Sequence, residues 1–267
     1  MSDIIIIIIM SVFCLIFMMP YVRMIFDSFK TRVEVMKSTR LLPEKFILDN
    51  YRTVFNKTPI EKWFINSLWT STLVTSVTLF TSSLAGFVFA KYEFKGKRLI
   101  FWFIMATMMV PAQTTMIPSF IIIQKLGLYD NLFALVLPSL VGGFGIFLCK
   151  QFIEDIPDAM VEAASIDGAS NMRIYFQVIV PLIKPALSAL AIFTFLEKWN
   201  DYLNPLLYLS DTSRMTMPLA LSFFTNQRTS DVGGVMAAAT LVILPVTIVF
   251  LSFQSKFVSS ISITGMK

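Results

Sequence analysis

Two polar groups stand out in this largely apolar chain of 267 residues, and their side chains suit two different kinds of chemistry. The first is residues 162–181, EAASIDGASNMRIYFQVIVP. Here Glu162 offers a charge to a basic partner, while Ala163 and Ala164 leave a smooth helix face able to lie in a groove. Asp158 is placed to cap that helix, whose good formers include Ala159, Met160, Glu162, Ala163 and Ala164. Gly168 supplies the left-handed or close-approach backbone that ends it. Ser170 can cap a second short helix carrying Ile174, Val178 and Ile179 on one side. The second group is Glu197, Lys198, Trp199, Asn200, Asp201 and Tyr202. It combines ionisable groups with aromatic faces of the sort that stack on sugar rings, which reads as part of a solute pathway. The alternative is snorkelling to an interface, with Glu197 and Lys198 paired and Trp199 a belt residue; the residues alone leave both open.

Neither group is built for catalysis. The chain has no histidine, which removes imidazole ligands, imidazole acid–base chemistry and histidine proton relays. Cys14 and Cys149 both lie in apolar windows and make neither a metal spacing nor a disulfide framework. There is no G-x-x-x-x-G-K-[ST] phosphate loop, so ATP hydrolysis by that route must come from elsewhere. The net charge of +5 is scattered and forms no basic, aromatic-interleaved patch of the kind nucleic acid needs. We therefore expect no catalytic residues, no metal and no nucleic-acid partner.

The elements that must position these groups are membrane helices. Mean hydropathy is +0.73, too high for an ordinary soluble domain. Charge-free windows near the bilayer-spanning length run over residues 4–22, 63–90, 99–124, 131–149 and 232–255. A sixth, 185–210, is interrupted by Glu197, Lys198 and Asp201. The expected fold class is an all-α membrane protein with six transmembrane helices. Cys14 follows a bulky Phe13 and no small-x-small site follows the first window, so the first helix is read as retained. Residues 27–62 read as a connector with little core of its own, 91–98 as a short basic turn, 124–130 as a tight turn containing Gly127, and 211–231 as a longer loop with an amphipathic middle at 219–224. Excluding the long first connector, nine basic residues fall on the side of the termini and three on the other; with it included, charge leaves orientation open.

Packing signals accompany the spans. Ser82, Gly86 and Ala90 follow small-xxx-small spacing in a helix also rich in Ser and Thr, read as tight packing or as pathway lining. Pro111, Pro118, Pro138 and Pro245 predict kinks. A continuous fifth helix would carry Glu197 and Asp201 roughly 18–24 Å from its inner end. The first polar segment is not a lipid-surface helix, because Glu154, Asp155, Asp158, Glu162 and Asp167 would be repelled by anionic lipid.

That segment resembles the EAA loop by which membrane subunits of ABC importers engage their ATPases. The family pattern is Glu-Ala-Ala, three residues, Gly, nine residues, then Ile-x-Leu-Pro. Glu162, Ala163, Ala164, Gly168 and Pro181 match it, with Val178 and Val180 standing for Ile and Leu. NYRTVF at 50–55, NS at 66–67, MMVPAQTTMIP at 108–118, FGIFL at 144–148, WNDYLNPL at 199–206, MAAAT at 236–240 and the end around 263–267 resemble the carbohydrate-uptake branch, which includes the shorter maltose permease membrane subunit. Relatives begin with a basic cytoplasmic stretch, whereas only Met1, Ser2 and Asp3 precede the apolar run here.

The resemblance implies an ABC importer type I permease bundle with a cytoplasmic EAA coupling loop. It divides the chain into a first helix and extracytoplasmic connector (1–61), a permease core (62–255) and a cytoplasmic tail (256–267). Glu162, Ala163, Ala164, Asp167 and Gly168 would couple to the ATPase, and Trp199, Asn200, Asp201 and Tyr202 would face the pathway. The implied partners are a second homologous permease subunit, two ABC ATPase subunits that hydrolyse ATP with Mg, and an extracytoplasmic sugar-binding protein. The chain itself would bind no cofactor and be a non-catalytic subunit. The implied location is the bacterial inner membrane with both termini cytoplasmic. The function would be sugar import; the alternatives are an importer of the same architecture for glycerol phosphate or a polyamine, and a stand-alone secondary transporter or channel.

Overall fold

The computed structural model describes residues 2–226 and 231–264, with side chains described at 4–222 and 231–252. Among the described residues the regular structure is entirely helical. Apolar stretches in lipid must satisfy their own backbone, and an α-helix does so within one segment. The order is α1 (Ser2–Asp27), α2 (Arg32–Lys37), α3 (Asp49–Lys57), α4 (Ile60–Lys91), α5 (Lys97–Met108), α6 (Ala112–Lys125), α7 (Phe133–Val136) and α8 (Gly143–Glu154). It continues with α9 (Asp158–Ile166), α10 (Asn171–Ile174), α11 (Val180–Leu182), α12 (Lys184–Trp199), α13 (Leu203–Tyr208), α14 (Met217–Asn226) and α15 (Val232–Thr264). The last residues of the C-terminal resemblance, 265–267, lie outside the described residues, as do the side chains at 223–224 of the amphipathic loop middle.

Among the described residues, three helices are long and apolar enough to span by themselves, within α1, α4 and α15. The other three expected spans are bent pairs: α5 with α6 at 100°, Phe133–Ser139 with α8 at 42°, and Asn171–Leu182 with α12 at 79°. Six spans result when each pair counts once. The sharp breaks fall at Pro111, near Pro138 and between Pro181 and Pro185, where proline withholds a helix donor. Pro118 and Pro245, by contrast, sit inside continuous helices. At the second break, α4 supplies the missing donors. Thr78 Oγ1 donates to the Ser139 carbonyl at 3.2 Å, and Thr81 Oγ1 to that of Leu140 at 2.9 Å.

The chain divides into two compact units, Met1–Phe64 with Thr216–Pro245, and Ile65–Met215 with Val246–Lys267. In the first, the connector has more core than its mixed charges suggest. Lys30 is fully buried, its ammonium donating to Asp27 at 2.7 Å and to the Arg40 carbonyl at 2.6 Å. A buried charge is tolerable only when paired in this way. Asn50 Nδ2 donates to the carbonyls of Ser28 and Lys30 at 2.8 and 2.9 Å. The Asn50 carboxamide in turn occupies the space a side chain on Gly233 would need, because a Cβ there would stand 2.6 Å from Asn50 Oδ1. The NYRTVF motif is thus a structural staple.

In the second unit the small residues of α4 serve packing. Ser67, Thr70, Ser71, Thr75, Ser82 and Ser83 are buried, while Thr72 and Ser76 are exposed. A Cβ on Gly86 would stand 2.8 Å from Cys149 Cβ, and one on Gly145 would stand 2.3 Å from Ser82 Oγ. α4 therefore meets the α8 backbone directly at Gly86, and Gly145 leaves just the room that the Ser82 side chain fills, a close approach that small residues permit. At one end of this unit, Ile123, Ala134, Leu135, Tyr208 and Leu209 form a small core.

Asp130 latches the loop beside that core. Its backbone has φ of 56°, and its Oδ1 accepts the amides of Ser210 and Asp211 at 3.0 and 2.9 Å. Arg214 bonds both its carbonyl and its carboxylate. Those amide bonds, with a smaller contribution from Arg214, hold the carboxyl below the ordinary aspartate range. The ionised form therefore stabilises the fold above the unfolded value of about 3.9, and this contribution is lost as pH falls through the lower folded value. Asp130→Asn tolerates the left-handed backbone but loses the charge. It is expected to lower Tm at pH 7 by roughly 2–6 °C and to flatten the fall in Tm between about pH 5 and pH 3, measured on detergent-purified protein. An unchanged acid limb would refute the latch.

Candidate functional site

The segment 154–183 folds into consecutive short helices anchored on the ends of α4 and α8. Ile156, Ile174, Tyr175, Ile179 and Ile183 join Phe87, Cys149 and Ile153 in one buried cluster, and Val161, Ala164 and Ala169 pack against it. The period of α9 turns its remaining residues outward. Glu162 and Ala163 are exposed, and Ile166 is 85% exposed, an apolar side chain presented to the surroundings one turn beyond Glu162. Ala164 faces the cluster instead, so the Ala pair is divided between an outer and an inner face. Asp167 and Gly168 are both exposed, Asp167 as the C-cap and Gly168 at φ 78°, the left-handed position that favours glycine.

Asp158 does not cap α9. Pro157 occupies the cap position, and the Asp158 side chain turns aside to Lys91 at 2.6 Å. The same ammonium donates to the Ile156 carbonyl at 2.5 Å, with the Lys91 side chain only 5% exposed. The competing cation won because α4 ends where α9 begins, a proximity that sequence spacing does not reveal. Ser170 caps α10 as expected, its hydroxyl accepting the Arg173 amide at 3.4 Å. A π-helical turn, Tyr175–Ile179, follows and buries Tyr175, whose hydroxyl lies 2.6 Å from Ser83 Oγ of α4.

Charge on this segment is sorted. Glu154 pairs with Lys150 and Asp158 with Lys91. Glu162 has no ion-pair partner among the described residues and stands exposed on a helix whose other face is fixed. The role of Ile166 is not among the sequence expectations, although it follows Glu162 at the i, i+4 spacing that shares a helix face. In the sequence Lys91 is only part of the basic turn 91–98, with no local sign of its bond to α9.

The second polar group is redistributed by the end of a helix. α12 stops at Trp199, and the expected continuous span through Asp201 does not form. Asn200 Nδ2 folds back on the Leu196 carbonyl at 2.8 Å. Asp201 accepts the Asn204 amide at 3.2 Å and its side-chain nitrogen at 2.8 Å, starting α13. The local hydrogen bonding of Asn and Asp competes with helix continuation here. Trp199 is fully buried, stacked at 5.7 Å on Phe195, so its ring is core and not a free platform. Glu197 and Lys198 pair at 2.8 Å away from it. Asn200, Asp201 and Tyr202, with Leu203 and Asn204, line an open cleft of about 310 Å³ opposite Ala112, Gln113 and Met116 of α6. The cleft wall combines apolar Ala112, Met116 and Leu203 with amide, carboxylate and phenol groups, and has no basic side chain among its lining residues.

Comparison with known proteins gives a consistent neighbourhood. Residues 79–263 match the family model described as binding-protein-dependent transport system inner membrane component. The arabinooligosaccharides transport system permease protein AraQ of Bacillus subtilis (strain 168) is 33% identical over 257 residues, covering 95% of this chain and 92% of that relative. The sn-glycerol-3-phosphate transport system permease protein UgpE of Salmonella choleraesuis (strain SC-B67) is 32% identical, covering 89% and 88%. Among solved structures, a chain of a bacterial ABC transporter involved in import of the acidic polysaccharide alginate superposes with a TM-score of 0.87 at 23% identity, covering 96% of each chain.

Proposed function

This chain belongs to the family of binding-protein-dependent transport system inner membrane components, and on that footing we propose that it forms half of the translocation pathway of an ATP-driven sugar importer. As a multi-pass membrane permease it works in a complex with other ABC components. The proposed complex holds a second homologous permease subunit, two ATPase subunits that hydrolyse ATP with Mg, and an extracytoplasmic sugar-binding protein. Both termini and the α9 loop then face the cytoplasm.

The docking reading rests on Glu162, an exposed and unpaired carboxylate on a helix pinned from behind. A basic groove on an ATPase would accept it together with Ile166, in the manner of a helix in a groove. In the division of work this implies, ATP-driven closure moves α9, while Asn200, Asp201, Tyr202 and Gln113 meet the solute.

The cleft chemistry supports a neutral sugar. Amide and carboxylate groups accept and donate to hydroxyls, and the Tyr202 ring offers an aromatic face. A phosphate would meet the Asp201 carboxylate with no lining cation to offset it, which weighs against the second reading suggested by the glycerol phosphate relative. The complex reconstituted with its partner subunits in proteoliposomes is expected to accumulate a labelled arabinooligosaccharide or a similar neutral oligosaccharide when ATP is supplied. Accumulation of labelled sn-glycerol 3-phosphate instead would overturn the sugar assignment and leave the docking assignment intact.

A further inference from the structure

A second cleft, of about 610 Å³, opens where α4 ends and α5 begins, beside Lys150 of α8. Its walls are Phe89, Phe94, Leu99 and Phe101, and its rim carries Glu93, Lys97, Arg98 and Lys150. Two of the cations are already held. Lys97 pairs with Glu93 at 2.7 Å, and Lys150 pairs with Glu154 while lying 4.9 Å over the Phe101 ring. Arg98 is exposed and, like Lys95 in the same turn, has no ion-pair partner among the described residues. Below the rim, α5 continues as an exposed apolar face through Leu99 at 63%, Trp102 at 62% and Phe103 at 66%.

We propose that this cleft binds the headgroup of an anionic phospholipid, with the acyl chains lying along the outer face of α5. A cationic rim set directly above a lipid-facing apolar stripe matches both halves of such a molecule, and basic pockets between membrane helices are suited to it. Charge complementarity selects the occupant, because the rim holds three cations against one carboxylate, and Arg98 among them, with Lys95 exposed in the adjoining turn, has no ion-pair partner among the described residues. Trp102 lies one turn below the rim, where an amphipathic ring favours the headgroup level. The site is independent of α9, whose acidic face repels such lipids, and it does not depend on which solute is carried.

The test is native mass spectrometry of the purified complex, first stripped of lipid and then given equal amounts of phosphatidylglycerol and phosphatidylcholine. The wild type is expected to retain phosphatidylglycerol selectively. Lys95→Gln/Arg98→Gln keeps both existing ion pairs and should weaken that retention roughly thirtyfold, at about 1 kcal/mol per cation. The charge-matched control Lys37→Gln/Lys45→Gln, outside the cleft, should retain the lipid normally. Equal retention of the two lipids by the wild type, equal phosphatidylglycerol retention by the two double variants, or loss in the control alone would each overturn the site. Matching size-exclusion profiles show that the variants are folded.

Discussion

Glu162→Lys is expected to reduce solute-stimulated ATP hydrolysis by the reconstituted complex at least thirtyfold and to reduce co-purification of the ATPase subunits to a similar degree. The estimate follows from reversing a charge at a close interfacial pair, which costs roughly 2–5 kcal/mol. The side chain is exposed and has no ion-pair partner among the described residues, so the substitution removes no described ion pair from the fold. Membrane yield and Tm of the isolated subunit should therefore be unchanged. Glu162→Gln, which keeps the shape and drops the charge, should fall between the two. Full assembly and full stimulation in Glu162→Lys would eliminate this helix as the dock. Loss of yield alone would mean that α9 is a folding element, and the same conclusion would follow.

Lys91→Met is expected to separate ATP hydrolysis from transport. Lys91 ties the last turn of α4 to the first turn of α9 through the Ile156 carbonyl and Asp158, with its ammonium almost fully enclosed. Removing it leaves a carbonyl without its donor, at a cost of roughly 1.5–3 kcal/mol borne at one joint. With the joint loose, movement of α9 is no longer transmitted, and solute carried per ATP should fall at least tenfold while hydrolysis falls much less. Lys91→Arg should restore much of the ratio. Asp158→Asn should have a smaller effect, because the Asp158 side chain is 76% exposed and the Ile156 bond survives. The readout is the transport-to-hydrolysis ratio in proteoliposomes. A purely structural role would lower assembly and both rates together, leaving that ratio at the wild-type value.

Parts of this arrangement were written locally in the chain. Gly168 had to end a helix because a left-handed backbone is cheap for glycine, and Ser170 had to cap because its hydroxyl reaches the third amide of the next turn. Ser82 and Gly86 announced a close helix contact, though not that Cys149 and Gly145 would be on the other side. The breaks near Pro111 and Pro138 were equally legible. What escaped were outcomes of competition over long separations. Asp158 had a good local use as a cap and was claimed instead by a cation 67 positions away. Trp199 had the composition of a sugar platform, but lies one helical turn from Phe195 and was drawn into the core. Lys30 sat in a connector rich in charges, and nothing nearby marked it as the one to be buried.

The contact between α4 and α8 has a mechanical corollary. At Gly86 the α8 backbone itself closes the gap, and at Gly145 the short Ser82 side chain fills it, so little at the crossing can act as a cushion. A force applied to α9 would enter this pair at a single end, through Lys91 on α4 and through the short link after Glu154 on α8. Without compliance at the crossing, the two helices respond as a single stiff beam. A small tilt imposed at the loop then becomes a larger sideways sweep at the far ends, in proportion to the distance from the crossing.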